Sequence, residues 1–304
     1  YGACINMNPI SSTFPILVMT RNDGLFLKQC VESIINTVSI ATTIYIIDNN
    51  SDSLEHHNII NDLVARFDNI KPILNKKNLW VLGLNDTIKK IKHIHQSKYF
   101  FLTDADIDFS HCKARPCWLS YLIQQLEKNV AIGKLGISLS WDYLQEKKEL
   151  ISILEQEQSL YSEVHKIDDL YVSSVDTTAT IFRFDWSIED SSCFFPDHMR
   201  YLRPELYSCR TPKDIVVEHL GWYHYSNSSQ INVNKTQVNS KVLCFTLFGG
   251  SVKDTILDMA DKKYSLFYKT FSNSIRRVWV LRRLYFLFKY FLFKARIKLD
   301  GHGF

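Results

Sequence analysis

The sequence predicts an α/β protein built on a mostly parallel sheet flanked by helices, and three observations carry that expectation. Short apolar, β-branched runs recur at 14–20, 42–51, 71–75 and 98–106. Segments with apolar residues at helical spacing lie between them, at 25–38, 53–67 and 83–94. Alternation of this kind packs as a parallel sheet with helices on both faces. Third, these strands end in polar clusters: Thr20-Arg21-Asn22-Asp23, Asp48-Asn49-Asn50 and Asp104-Ala105-Asp106. Ligands of such sheets sit at the carboxyl ends of the strands, so all three clusters are expected to face one crevice.

Each element has its own local signal. "FPILVMT" is short, β-branched and followed by turn residues, which reads as a buried strand. "LFLKQCVESIINTV" follows as a helix, and "TTIYIIDNNS" as a strand ending in Asp and Asn. "SLEHHNIINDLVARF" is the second helix, with Ser53 and Glu55 near its start. "KPILN" is a third strand, "GLNDTIKKIKHI" a helix, and "KYFFLTDAD" the fourth strand, its extended form carried to Asp106. Further on, "VDTTATIFR" (175–183) reads as a strand, and "IVVEHLGWYHYS" (215–226) as a strand followed by a polar turn. The sequence shows neither an internal repeat nor a low-complexity linker.

Composition narrows the class. The 304 residues are 46% hydrophobic and 22% charged, enough apolar material to bury a large core. A net charge of +4 is too mild to imply a nucleic-acid partner, and none is expected. The seven cysteines are scattered, odd in number and without a CxxC pair, which predicts free buried thiols in a reducing compartment. No basic stretch followed by an apolar run opens the chain, so no signal peptide is expected.

There is no GxGxxG and no GxxxxGK[ST], so neither a dinucleotide fingerprint nor a P-loop is supported. Four other pieces, in order and on predicted strand ends, carry a resemblance. They are Thr20-x-Asn22 with Leu27 and Glu32-Ser33, then "IYIIDNNSDS", then "NLWVLGLN" with Asn78, Gly83 and Asn85, then "TDADID". Together they resemble family 2 glycosyltransferases of GT-A fold over residues 14–110, and more loosely over 170–230. Trp80 departs from the pattern, standing where the family usually has Gly. The resemblance implies a GT-A domain over 1–250, with its nucleotide half at 14–110 and its acceptor half at 111–250. A basic, aromatic helical extension follows at 251–304. It also implies transfer of a sugar from a nucleoside-diphosphate donor, a UDP-sugar being favoured.

Elementary chemistry supports roles for these residues. Asp48, at a strand end, can accept the imide hydrogen of uracil or the amino hydrogens of another base. It can equally close an Asx turn or cap a helix, since Asp-Asn-Asn-Ser is good turn chemistry. Arg21 could grip phosphate with its bidentate fork. Thr20, Asn22, Asn50, Asn78, Gly83, Asn85 and Asp104 complete the expected nucleotide contacts. A departing nucleoside diphosphate calls for a divalent cation, and hard oxygen ligands suit Mn²⁺ or Mg²⁺. On an extended segment Asp104 and Asp106 share one side and make a ligand pair; Asp108 is expected to support them. The resemblance implies a later histidine on the metal or the diphosphate. His219 and His224 are the candidates, and His219, closer to the apolar run, is preferred of the two; a histidine satisfied in the core or at the surface is the alternative.

An inverting transfer also needs a base for the acceptor hydroxyl. The resemblance implies an acid near a helix start with Arg a few residues on, which "DHMRYLR" offers as Asp197 with Arg203; Asp176 is the next choice, Glu218 and Glu189-Asp190 are further options, and a retaining mechanism stays open. Thr177 and Thr178 could bind sugar hydroxyls, and Trp222 could stack on an acceptor ring. Residues 262–299 contain no acid, while Arg276, Arg277, Arg282, Arg283, Lys289, Lys294, Arg296 and Lys298 crowd that end. Interrupted by bases, 274–299 suits an interfacial helix drawn to anionic lipid better than a membrane span of about twenty apolar residues. That placement, peripheral on the cytoplasmic face, fits a transferase of surface polysaccharide synthesis with a glycan or lipid-linked acceptor. Two other classes fit the sequence less well: a nucleotidyltransferase or sugar-nucleotide pyrophosphorylase, which lacks its Gly-rich turn here, and a non-catalytic polybasic module, which leaves the aspartate strand ends without a purpose.

Overall fold

A computed structural model describes residues 12–78, 84–129, 132–184, 208–225, 235–247, 251–252 and 254–296. Its first half follows the alternation read from the sequence: β1 (Phe14–Thr20), α1 (Gly24–Thr37), β2 (Thr42–Asp48), α2 (Leu54–Arg66), β3 (Ile70–Leu74), α3 (Asn85–Ile94) and β4 (Tyr99–Asp104). The strands pair in parallel in the order β3-β2-β1-β4. Alternate residues divide between two faces, as extended backbone requires. Ile16, Val18, Ile44, Ile46 and Phe101 join Leu27, Val31 and Ile34 of α1 and Ile60 and Leu63 of α2 in one core. Leu17, Tyr45, Ile47, Phe100 and Leu102 join Leu84, Ile88 and Ile91 of the α3 segment in the other. Nearly continuous apolar strands are thus the direct result of covering both faces.

Beyond β4 come the short β5 (Ile107–Asp108), α4 (Trp118–Lys128), β6 (Lys134–Gly136), β7 (Ser138–Leu139), α5 (Asp142–Glu146), a single turn at Lys148–Leu150 and α6 (Ile151–Gln158). Then follow β8 (Lys166–Ile167), β9 (Leu170–Val172), β10 (Thr180–Arg183), β11 (Ser208–Arg210), β12 (Val216–His219) and α7 (Gly221–Tyr225). The large sheet continues from β4 as β10-β6-β11-β9-β8 and is mixed there: β10 runs antiparallel to β4 and β6, and β11 parallel to β6. A separate sheet has the order β5-β12-β7.

Two details differ from the sequence-based expectation. The fourth strand ends at Asp104, and the chain turns at Ala105-Asp106 before β5. Ala105 N–H makes the last bond to Met19 O (3.0 Å), and there β1 itself runs out. Likewise the strand in "VDTTATIFR" begins only at Thr180; Asp176–Thr178 form a turn, with Ala179 at φ 47°. Thr177 and Thr178 are therefore turn residues rather than β-formers. Cys30, Cys112, Cys117 and Cys209 are free thiols, as expected of them.

The described residues gather into two compact units. One holds everything described up to Tyr223; the other holds those from His224 onward. In the second, α8 (Lys235–Leu247) and α9 (Asp254–Met259) supply a small core of Val238, Val242 and Leu257, against which Tyr264 and Tyr268 of α10 (Lys262–Arg296) pack. Asn239 and Asp261 bond reciprocally, at 2.7 and 2.8 Å. Lys235–Leu247 thus packs with the C-terminal helices, whereas the sequence places the boundary at 250. No helix among the described residues is long and apolar enough to cross a membrane.

Packing beneath the acidic turn is aromatic. Trp118 stacks on Phe109 with centroids 4.6 Å apart, lies 4.7 Å from Phe101, and donates its indole N–H to Thr37 Oγ1 (2.9 Å). Trp118→Ala is expected to cost about 3–5 kcal/mol in urea unfolding. Trp118→Phe, which keeps a ring but loses the hydrogen bond, is expected to cost about 1 kcal/mol.

Candidate functional site

The carboxyl ends of β1, β2 and β4 lie side by side, because Thr20 is paired with Asp48 and Met19 with Asp104. Asn22, at φ 59°, ties two of the loops together. Its Nδ2 donates to Asp52 Oδ1 (2.7 Å), its Oδ1 accepts from Asp52 N and Ser53 N, and its own N–H reaches Ser51 Oγ (2.8 Å). Asp48 is 1% exposed. It accepts from the backbone N–H of Ser51 at 3.2 Å and from the Ser51 hydroxyl, and it sits 3.4 Å from His56 Nε2. That geometry belongs to a turn-closing aspartate, and it presents exposed Asn50 at φ 62°. Burial lowers the His56 pKa, against the pull of Asp48. Arg21 is exposed beside this rim, and Asn78 is partly buried. The Thr20 hydroxyl is buried without a hydrogen-bond partner among the described residues. Gly83 lies outside the described residues, and Asn85 opens α3.

The acidic turn is clamped from α1. Cys30 Sγ approaches Asp104 O (3.7 Å), Ser33 Oγ accepts from Phe109 N (3.1 Å), and Gln29 Nε2 donates to Asp108 Oδ2 (2.7 Å). Asp108 also accepts from Ser110 N (2.8 Å). Burial raises its pKa, yet these bonds outweigh burial and hold it below the ordinary value, as befits a supporting residue. Asp104 behaves oppositely. Burial, then the neighbouring Asp106 charge, pushes it up to about 7, against the Thr178 hydroxyl that donates to its Oδ2 (2.8 Å). Asp176, in the exposed turn that carries Thr178, adds to the rise. Asp176 Oδ1 in turn accepts from Thr178 N (3.0 Å).

His219 reaches this turn from far along the chain. Antiparallel pairing sets His219 opposite Ile107 and Glu218 opposite Asp108, and Leu220 N bonds Asp106 O (2.7 Å). His219 Nδ1 then stands 3.7 Å from Asp106 Oδ2. It is buried and has no hydrogen-bond partner among the described residues. The ring stacks on Trp222 with centroids 4.9 Å apart and planes at 10°. Trp222, expected as a sugar-stacking residue, is therefore the backing of the histidine. Gly221 keeps the space clear, since a Cβ there would run into Asp106 Oδ2 and lie 2.8 Å from His219 Cε1. An imidazole nitrogen and two carboxylates, one of them costly to ionise, suit a hard or borderline divalent ion. Among the described residues no group of three His, Cys, Asp or Glu side chains is placed to hold an ion alone. Mg²⁺-type sites usually take one or two carboxylates and complete themselves with substrate phosphates.

Asp197, Arg203 and Glu189-Asp190 lie outside the described residues, as does the side chain of His224. The sequence reading missed Glu157 and Arg210, both buried, whose charges act on one another. Glu157 also lies in the fields of Asp176 and His219. A signal existed in the sequence: Leu150, Leu154 and Glu157 follow one face of the helix, so an acid occupies a place in the apolar stripe.

No protein-family model matches the sequence, and no curated protein matches it. Among solved structures it is similar to the mannosyltransferase PcManGT of Pyrobaculum calidifontis in complex with GDP-Man and Mn²⁺. That match has 10% identity, a TM-score of 0.49, and covers 90% of this chain and 75% of that one. It is also similar to S. aureus TarS 1–349, at 10% identity and TM-score 0.41, covering 95% and 76%. The same protein in complex with UDP-GlcNAc gives 11%, 0.43, and 95% and 77%.

Two outcomes follow from this geometry. Asp104 is harder to ionise folded than unfolded, so its contribution to stability is full below the ordinary carboxylate pKa and is lost as pH rises through about 7. In metal-free buffer, the melting temperature of the wild type should fall relative to Asp104→Asn between pH 5 and 8. For the metal site proposed below, Gly221→Ala should weaken Mn²⁺ binding at least tenfold by calorimetry, about 1.4 kcal/mol, by forcing Asp106 and His219 apart.

Proposed function

We propose that the chain is a divalent-cation-dependent glycosyltransferase. It would move a sugar from a nucleoside-diphosphate donor, a UDP-sugar by preference, to a glycan or lipid-linked acceptor. The observation that carries this reading is the meeting of His219 with Asp106 beside the ends of β1 and β4.

The roles divide as follows. Thr20, Arg21, Asn22, Asn50, Asn78, Gly83 and Asn85 form the nucleotide rim, with Arg21 free to swing its guanidinium onto phosphate. Asp48 acts there through the turn that it closes. Asp104, Asp106 and His219 would hold Mn²⁺ or Mg²⁺, which when bound neutralises charge on the departing diphosphate. Asp176, exposed in the turn that touches Asp104 through Thr178, is the base proposed among the described residues; Asp197 is the other candidate. The acceptor oxygen gives its proton to that carboxylate and attacks the anomeric carbon opposite the leaving oxygen, inverting the centre. No described feature favours a nucleotidyltransferase.

The acceptor side includes the membrane. The described side chains of α10 expose Leu266, Phe271, Val278, Val280 and Leu281 along with Lys262, Lys263, Lys269 and Arg277, which supports interfacial binding. Co-sedimentation with phosphatidylglycerol vesicles is expected for the full chain and lost on deletion of 274–304; equal sedimentation of both contradicts this part.

Thermal unfolding with UDP, GDP or CMP, each with and without Mn²⁺, tests the central reading. A nucleoside diphosphate at a hundredfold its Kd should stabilise by about 2.7 kcal/mol, only with the metal, and Asp106→Ala should abolish the effect. No stabilisation by any nucleotide, or an unchanged response in Asp106→Ala, contradicts it.

A further inference from the structure

Glu157 has no place in the chemistry above, and its surroundings do not explain it as packing. It is 8% exposed, and its Oε2 is buried without a hydrogen-bond partner among the described residues. Leaving such an acceptor unsatisfied costs more than a neutral side chain in the same stripe, beside Leu150 and Leu154, would cost. Native structures keep such groups where something else satisfies them. A second orphan lies in the same neighbourhood. Trp141 Nε1 is buried and likewise lacks a partner among the described residues. Trp141 packs edge-on against Tyr161, with centroids 5.1 Å apart, and Tyr161 lies in the fields of both Arg210 and Glu157. Arg210 is held by its Nε to Ser174 O (3.2 Å), two residues before Asp176.

Tyr161 Oη is a third buried polar atom without a partner among the described residues, and the carboxylate and the indole have complementary needs. A carboxylate oxygen only accepts, and an indole N–H only donates. A metal ion serves only the acceptor; a water can bridge the two groups, and a sugar does so with several hydroxyls, each able to donate and accept. We propose that Glu157 and Trp141, backed by Tyr161 and Arg210, form a pocket for the hydroxyls of a hexose ring, on the Asp176 and His219 side of the site. This rests on the glycosyltransferase reading and names its sugar-contacting residues. The ring belongs to the donor's sugar or to the accepting sugar; the chemistry of recognition is the same.

The test compares wild type, Glu157→Met and Trp141→Phe by thermal unfolding in Mn²⁺. The ligands are UDP and GDP, then UDP-GlcNAc and GDP-mannose, then free N-acetylglucosamine and mannose added alone and on top of the bare nucleotides. Both variants should respond to UDP or GDP as wild type does. Both should lose the additional shift that the nucleotide sugars produce if the pocket holds the donor sugar, or that the free hexoses produce if it holds the acceptor. Retention of every sugar-dependent shift in both variants, or a wild type with no such shift, overturns the pocket. A flat response to UDP and GDP strikes at the nucleotide site instead, and the pocket is then judged by the free hexoses alone. Should Glu157→Met fail to fold, Trp141→Phe decides.

Discussion

Two backbone pairings, Ile107 with His219 and Asp108 with Glu218, join segments far apart in the chain and set the geometry of everything around the acidic turn. Without them Asp104 and Asp106 would be a solvated pair at the end of a strand. With them Asp106 has an imidazole 3.7 Å away and its own carbonyl fixed by Leu220 N–H. Trp222 backs the ring, and Gly221 leaves room for it. The turn cannot relax from the other side either, since Gln29, Cys30 and Ser33 of α1 hold residues 104–109.

Confinement of this kind explains the split among the three aspartates. Asp108 receives hydrogen bonds and stays easily ionised; Asp104 receives one hydroxyl, lies beside another carboxylate, and resists ionisation. A cation in the proposed site would relieve that repulsion, so the arrangement that costs stability without the ion would supply affinity with it. The neighbouring strand ends serve a different purpose. Asp48 and Asn22 spend their hydrogen bonds on the loops themselves, so the rim is shaped before any ligand arrives.

Much of the parallel half was legible from the sequence because its signals are local. Apolar runs, helical spacing and turn residues identified β1 through β4, and the polar strand ends pointed to one crevice. What escaped depended on distant partners. Asp106 leaves the strand because β1 has run out beside it, which no residue of "TDADID" reveals. Thr177 and Thr178 favour strands by composition, yet they turn, with Thr178 bonding Asp104. His219 could be named as a candidate from its position after an apolar run, but its register against Ile107 could not. Glu157 left a trace, an acid within an apolar stripe, that only burial makes meaningful.

The claim on which the account stands is that His219 and the acidic turn bind one cation together. Pulsed electron paramagnetic resonance on Mn²⁺ and UDP bound to protein carrying ¹⁵N-labelled histidine measures this directly. The account predicts a ¹⁵N coupling from one directly bound histidine nitrogen, absent in His219→Gln while the Mn²⁺ signal persists. A bound Mn²⁺ with no nitrogen coupling in the wild type, or with the same coupling in His219→Gln, would contradict it.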